Sequence, residues 1–172
     1  MKPVAVRVAC LALALLLAGC GGSGADGGPA PERVAALGAR IFEDVSLSAS
    51  GRQSCASCHD AAHAHGPPNA LPTQPGGAAM DQQGARAAPS IDYAAFAGAF
   101  RFDASGRPLG GLFWDGRAAT LQEQAASPLL SPLEMANNTR AEVVARLARA
   151  AYADEFRALF GAEIFARVDD AF

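Results

Sequence analysis

The run Cys55-Ala-Ser-Cys58-His59 constrains this chain more than any other stretch. Two thiols three residues apart lie on the same side of one helical turn, and an imidazole follows at once. This spacing suits covalent attachment of haem c. Each thiol adds to one vinyl group of the ring, leaving two thioethers, and His59 binds the iron from one face. Other uses of such a pair fit less well. A thioredoxin-like CxxC needs a βαβ context, which is absent. A zinc site needs a second pair of ligands. A bare disulfide has no use for His59. One covalently bound haem c is therefore expected on Cys55 and Cys58, with His59 as proximal iron ligand.

The cysteine count agrees. The chain of 172 residues holds four cysteines and three histidines. Lys2 and Arg7 precede a run of mostly Ala and Leu from Val8 to Leu17, too short to span a bilayer as a mature helix. The run ends Leu17-Ala18-Gly19-Cys20, which resembles the bacterial lipobox. Residues 1–19 are expected to be a lipoprotein signal, with Cys20 lipidated. Several acyl chains would give a lasting membrane anchor. Gly21 in place of Asp after the cysteine favours the outer membrane in a Gram-negative cell. The expected location is thus the periplasmic face of a membrane. Cys10 leaves with the leader and Cys20 carries lipid, so Cys55 and Cys58 remain for chemistry.

With 51% apolar and 18% charged residues, the chain can build one core. Its net charge of −3, without a long basic run, argues against a nucleic-acid partner. Residues 20–31 are rich in Gly, Ser, Ala and Pro and read as a flexible tether. The remainder, 32–172, is expected to be one domain. Val34, Leu37 and Ile41 form a helical stripe after Pro31. Prolines and glycines between residues 63 and 90 forbid a long helix there, and long ordered loops are often functional. Tyr93, Phe96, Phe100 and Phe102 read as core or cofactor wall. Thr120-Leu-Gln-Glu123 and Thr139-Arg-Ala-Glu142 are capping boxes. The first opens a helix expected to end by Pro128. The second opens one with Val143, Leu147 and Ala150 on one face. Asp154–Phe160 continues, Gly161 suits a C-cap, and a last helix is expected near Ala162. No stretch alternates like a strand. The expected fold is all-α, a cytochrome c-like haem domain with long irregular loops.

The opposite face of the iron decides function. A strong sixth ligand makes an electron carrier; an open face with acid–base groups makes a peroxidase. Met80 and Met135 are candidate sixth ligands. His63 and His65 follow His59 so closely that they fall on its own side of the ring.

Leu37-Gly-Ala-Arg-Ile-Phe-Glu-Asp44, Cys55–His59, Phe113-Trp-Asp-Gly-Arg117, Glu123-Gln-Ala125 and Pro128-Leu-Leu-Ser-Pro-Leu-Glu-Met135 stand in one order. This set resembles the N-terminal half of the bacterial dihaem cytochrome c peroxidases, which include the MauG-like enzymes. The resemblance covers about residues 32–172. It implies that this half carries the peroxide-reacting haem. It implies that Gln124 and Glu134 are the distal amide and carboxylate, with Pro128 between them. It implies that Trp114 lies between two haems and assists electron transfer. Position 75, where many members carry a distal histidine, is Pro75. The haem would then be constitutively open, as in the MauG-like branch. The family's Arg-Asn-Thr-Pro segment appears as Arg86-Ala-Ala-Pro-Ser90, without the Asn, which weakens the case for calcium. The 172 residues hold no second CxxCH, so the family's second haem domain is expected to be missing from this chain.

The leading expectation is a haem-c peroxidase domain acting on hydrogen peroxide. Glu134 would be its acid–base group and Gln124 would orient the peroxide. Electrons would come from a partner cytochrome or a second haem domain. The alternatives are a membrane-tethered monohaem electron-transfer cytochrome c, with Met80 or Met135 on the iron, or a truncated inactive relative.

Overall fold

A computed structural model describes residues 28–172. The leader, the lipobox cysteine Cys20, Cys10 and most of the tether lie outside the described residues. The elements in chain order are α1 (Pro31–Glu43), β1 (Pro75–Gly76), β2 (Gln82–Gln83), β3 (Arg101–Phe102) and β4 (Pro108–Leu109). Then follow α2 (Leu121–Leu130), α3 (Arg140–Leu147), α4 (Ala153–Phe160) and α5 (Val168–Ala171). Helices carry the packing. The strands are two residues long and form two small antiparallel ribbons, β1–β2 and β3–β4.

Each helix starts where the local chemistry dictates. Pro31 opens α1, where its missing N–H costs nothing. Thr120 Oγ1 accepts from the Glu123 N–H, and the Glu123 carboxylate accepts from the Ala119 N–H. Thr139 and Glu142 repeat the device, with Glu142 reaching back to the Asn138 N–H. In both boxes the glutamate caps the residue before the threonine rather than the threonine itself. Gly161 ends α4 at φ +107.

One core sits among α1, α3, α4 and α5. Leu37, Leu47, Met135, Val143, Val144, Leu147, Tyr152, Phe156, Leu159 and Ile164 are all buried in it. Truncating such a leucine typically costs about 2–5 kcal/mol. Asn137 is the polar member, 1% exposed. Its Nδ2 donates to the Leu47 carbonyl at 2.8 Å and to the Leu129 carbonyl at 2.9 Å. It thereby ties the turn before α3 to the end of α2 and to the Val45–Leu47 turn after α1.

Three expectations change. First, α2 does not end by Pro128 but runs through it to Leu130. The proline sits near the C-terminal end, so it removes a single helical bond, the one the Gln124 carbonyl would accept. Ser131 N–H still closes the last turn on Ser127. Second, Tyr93, Phe96, Phe100 and Phe102 do not enter the core; all four are exposed. The helices close their core without them. Third, the chain after Gly161 makes a 3-10 turn, Ile164–Ala166, before α5 begins at Val168. No helix among the described residues is long and apolar enough to cross a membrane.

Asn137 predicts a cost. Asn137→Ala leaves the buried Leu47 carbonyl without its donor and takes one of two donors from the Leu129 carbonyl, which keeps the Asn137 N–H, so it should destabilise the chain by about 1–3 kcal/mol. A denaturant titration reads this as a lower midpoint at unchanged slope. An unchanged midpoint would contradict the clamp.

Candidate functional site

The haem-binding run forms one tight turn rather than a helix. The N–H groups of Cys58 and His59 both donate to the Cys55 carbonyl, at 3.1 and 2.9 Å. Both thiols are half-buried, with Cys58 near enough to act on Cys55. Ala56 N–H donates to the Phe42 carbonyl at 3.1 Å, which fastens the turn to the last turn of α1. Burial pushes both thiols up. A hydrogen bond from the buried Gln53 side chain pulls Cys58 partly back, and the nearby Glu134 carboxylate pushes it up again.

His59 is held from behind. Its Nδ1 lies 3.1 Å from the His65 carbonyl and 3.1 Å from the Pro89 carbonyl. Both partners are acceptors, so Nδ1 carries the hydrogen and Nε2 keeps its lone pair. An imidazole oriented by its far nitrogen is the usual arrangement of a metal ligand. His63 and His65 are occupied elsewhere. His63 Nδ1 pairs with Asp60 and His65 Nδ1 with Asp92, each at 2.7 Å. The loop bearing Pro89 is tied to the same place, since Ser90 Oγ donates to the Ala64 carbonyl and Ile91 N–H to the His65 carbonyl.

The Pro128–Met135 segment forms a second unit. Met135 N–H donates to the Pro128 carbonyl, and Ala136 and Glu134 N–H groups both donate to the Ser131 carbonyl. Ala49 N–H donates to the Met135 carbonyl at 2.8 Å, fixing the unit to the segment just before the haem-binding run. From the loop side, Gly77 N–H donates to the Glu134 carbonyl at 2.8 Å. Gly76 is what permits this approach. A Cβ there would overlap the Leu133 carbonyl oxygen and press on the Glu134 Cα. Glu134 and Gln124 are both half-buried, Gln124 on α2 and Glu134 on the turn that follows it. Met135 is 4% exposed and packs in the core. Met80 sits in the loop between β1 and β2, with φ +61.

Trp114 stands apart from these groups. It is 71% exposed, with the Arg86 guanidinium 5.4 Å from its ring centre. Phe113 before it holds φ +64, a left-handed conformation that costs an aromatic residue about 1 kcal/mol or more. The loop is folded hard on itself. Gly111 and Gly116 lie back to back against Phe100, too close for a side chain on either. The exposed rings of Tyr93, Phe96, Phe100, Phe102 and Trp114 make the 93–114 segment an apolar surface.

The residues therefore fit a haem c. Two thiols sit close together on one tight turn, the next residue is an imidazole with its Nδ1 held by carbonyls, and apolar rings are exposed on the 93–114 loop. Sequence reasoning missed the supports: Gln53 beside Cys58, the carbonyls behind His59, and Gly76 against Glu134. The Gly76-Gly77 pair was visible as a helix breaker, but its close approach to another segment was not.

Gly76 generates a prediction. Gly76→Ala should break the Gly77-to-Glu134 bond and speed amide exchange at Gly77, while α3 stays protected. Unchanged protection at Gly77 would contradict the clamp.

The family model for di-haem cytochrome c peroxidase matches residues 32–172. Methylamine utilization protein MauG of Paracoccus denitrificans is 42% identical, over 97% of this chain and 44% of its own length. Cytochrome c peroxidase Ccp of Escherichia coli is 37% identical, over 69% of this chain and 22% of its own length. The crystal structure of the diheme peroxidase BthA from Burkholderia thailandensis superposes with a TM-score of 0.73 at 35% identity, covering 83% of this chain and 37% of BthA. The chain spans less than half the length of these relatives. The fold and the match over the whole domain lead to one conclusion: the chain belongs to the di-haem cytochrome c peroxidase family that includes MauG.

Proposed function

We propose that residues 32–172 form a peroxide-reacting haem-c unit that takes its electrons from another redox centre. Cys55 and Cys58 carry one haem c and His59 is its proximal ligand. The observation that carries the reading is the placement of Glu134. It is half-buried, its charge acts on Cys58, and two backbone clamps hold its segment beside the haem-binding run. An electron carrier has no use for a carboxylate held there. Of the carrier reading's two candidate ligands, Met135 packs among core side chains, which supports the open face.

When bound, haem c supplies an iron centre at which the O–O bond of hydrogen peroxide is reductively cleaved. This chain's residues do the rest. His59 Nδ1–H donates to two carbonyls, which fixes the ring plane and raises the basicity of Nε2. The Glu134 carboxylate takes a proton from the near oxygen of the peroxide and returns it to the leaving oxygen. The Gln124 amide is uncharged and orients the peroxide by hydrogen bonds. Pro128 frees the Gln124 carbonyl and closes its own carbonyl on Met135 N–H, which shapes the turn before Glu134. Trp114, exposed on its loop, is the port through which electrons arrive. The balance is two electrons and two protons consumed per peroxide, giving two waters.

The donor is a partner cytochrome or a second haem domain, as in the dihaem relatives. The lipobox-like end at Cys20 supports a lipid anchor on the periplasmic side, with the outer membrane favoured.

Glu134→Gln tests the mechanism. It keeps the side chain's shape and removes the base. The holoprotein should react with peroxide about a hundredfold or more slowly, with haem content unchanged. Stopped-flow spectra of the haem band measure this. An unaltered rate would remove Glu134 from the mechanism.

A further inference from the structure

Tyr152 is unusual in this core. Its ring is buried, 5% exposed, yet its hydroxyl donates to Asp44 Oδ2 at 2.6 Å. The Arg40 guanidinium lies 5.1 Å from the centre of the ring. Above them is a surface groove whose lining includes Arg40, Glu43, Asp44, Arg149 and Tyr152. Asp44 caps α1, two residues after Phe42, whose carbonyl receives the Ala56 N–H inside the haem-binding turn. A short path of covalent and hydrogen bonds therefore runs from the phenol to the residue next to Cys55.

The proton chemistry is set for oxidation. Burial, with the bond to Asp44, holds the phenol well above the usual tyrosine range. Burial lifts the Asp44 carboxyl, but bonds from Tyr152 and Ser46 outweigh it and leave the group below its ordinary value. The pair is thus a neutral phenol donating to a carboxylate. Removing only an electron from that phenol would leave a buried cation, which burial disfavours. Removing the electron together with the proton leaves a neutral ring, and Asp44 is already in place to take the proton.

We propose that Tyr152 is a second redox-active residue of this chain, with Asp44 as its proton acceptor and the groove as its outlet to a one-electron reductant. In the forward step the Tyr152 O–H bond breaks. The electron would be taken up by peroxide reduction at the haem site, the proton goes to Asp44 Oδ2, and the ring becomes a neutral radical. In the return step a one-electron reductant at the groove restores the phenol, and Asp44 gives back the proton. This route is separate from Trp114 and rests on the peroxide reaction proposed above. The same hydrogen bond also ties α1 to the start of α4, so a loss of stability on mutation does not bear on the redox role.

The test is rapid-freeze electron paramagnetic resonance of the ferric holoprotein after one equivalent of peroxide, with optical spectra of the haem taken alongside. The chain has two tyrosines, which makes assignment direct. The parent protein and Tyr93→Phe should both give a tyrosyl signal that narrows with ring-deuterated tyrosine. Tyr152→Phe should lose it while haem loading and haem oxidation persist. Asp44→Asn keeps the ring and should lower the radical yield several-fold. A signal that survives Tyr152→Phe overturns the proposal, as does an oxidised haem with no tyrosyl signal in the parent. A haem that fails to react with peroxide overturns the peroxidase reading, and this inference falls with it.

Discussion

The structure turns on the hydrogen at Nδ1 of His59. Two backbone carbonyls, from His65 and Pro89, take that hydrogen and so decide which nitrogen is left for iron. The rest of the loop-rich half supplies those carbonyls. His65 is brought round by the turn from Asp60 to Gly66, and Pro89 by a loop sewn to Ala64 and His65. Such bonds use backbone carbonyls, so composition in the loop can vary while geometry is kept. That accounts for a segment poor in apolar residues holding a fixed course.

The helical half has a different task. It builds a dry core from α1, α3, α4 and α5 and presents two rigid edges to the loops. One edge is the end of α1, which receives Ala56. The other is the Pro128–Met135 unit, locked by Asn137 and pressed from outside by Gly76. The turn that carries the thiols and the turn that carries Glu134 are therefore anchored to the same core. Relative placement of two reacting groups matters because small displacements can cost large factors in rate. Met135 shows the division of labour. Its neighbour Glu134 is half-buried, while Met135 itself goes into the core.

Much of this could be read from the residues. CxxCH announces its own turn, because three consecutive features must lie on one side of one peptide loop. The capping boxes named the starts of α2 and α3 correctly, since the bonds involved are local. The end of α2 was misjudged because a proline near a C-terminus removes one bond, and packing beyond it carries the helix on. Of the two readings of the aromatics at 93–102, core or cofactor wall, the core reading fails, because ring content says nothing about direction and the helices fill their core without them. The clamps on His59, Glu134 and Tyr152 were beyond reach for one reason. The Glu134 and Tyr152 clamps and the Pro89 contact join residues far apart in sequence, and His65, only six residues past His59, contributes, like Pro89, a backbone carbonyl, which carries no residue signature.

The central claim is that this chain binds a haem whose second face is open to peroxide. The ferric spectrum of the purified holoprotein tests it most directly. With His59 as its sole protein ligand, the iron should be high-spin. A low-spin iron with a methionine-to-iron band in the far red would contradict it, placing Met80 on the metal and making the chain an electron carrier.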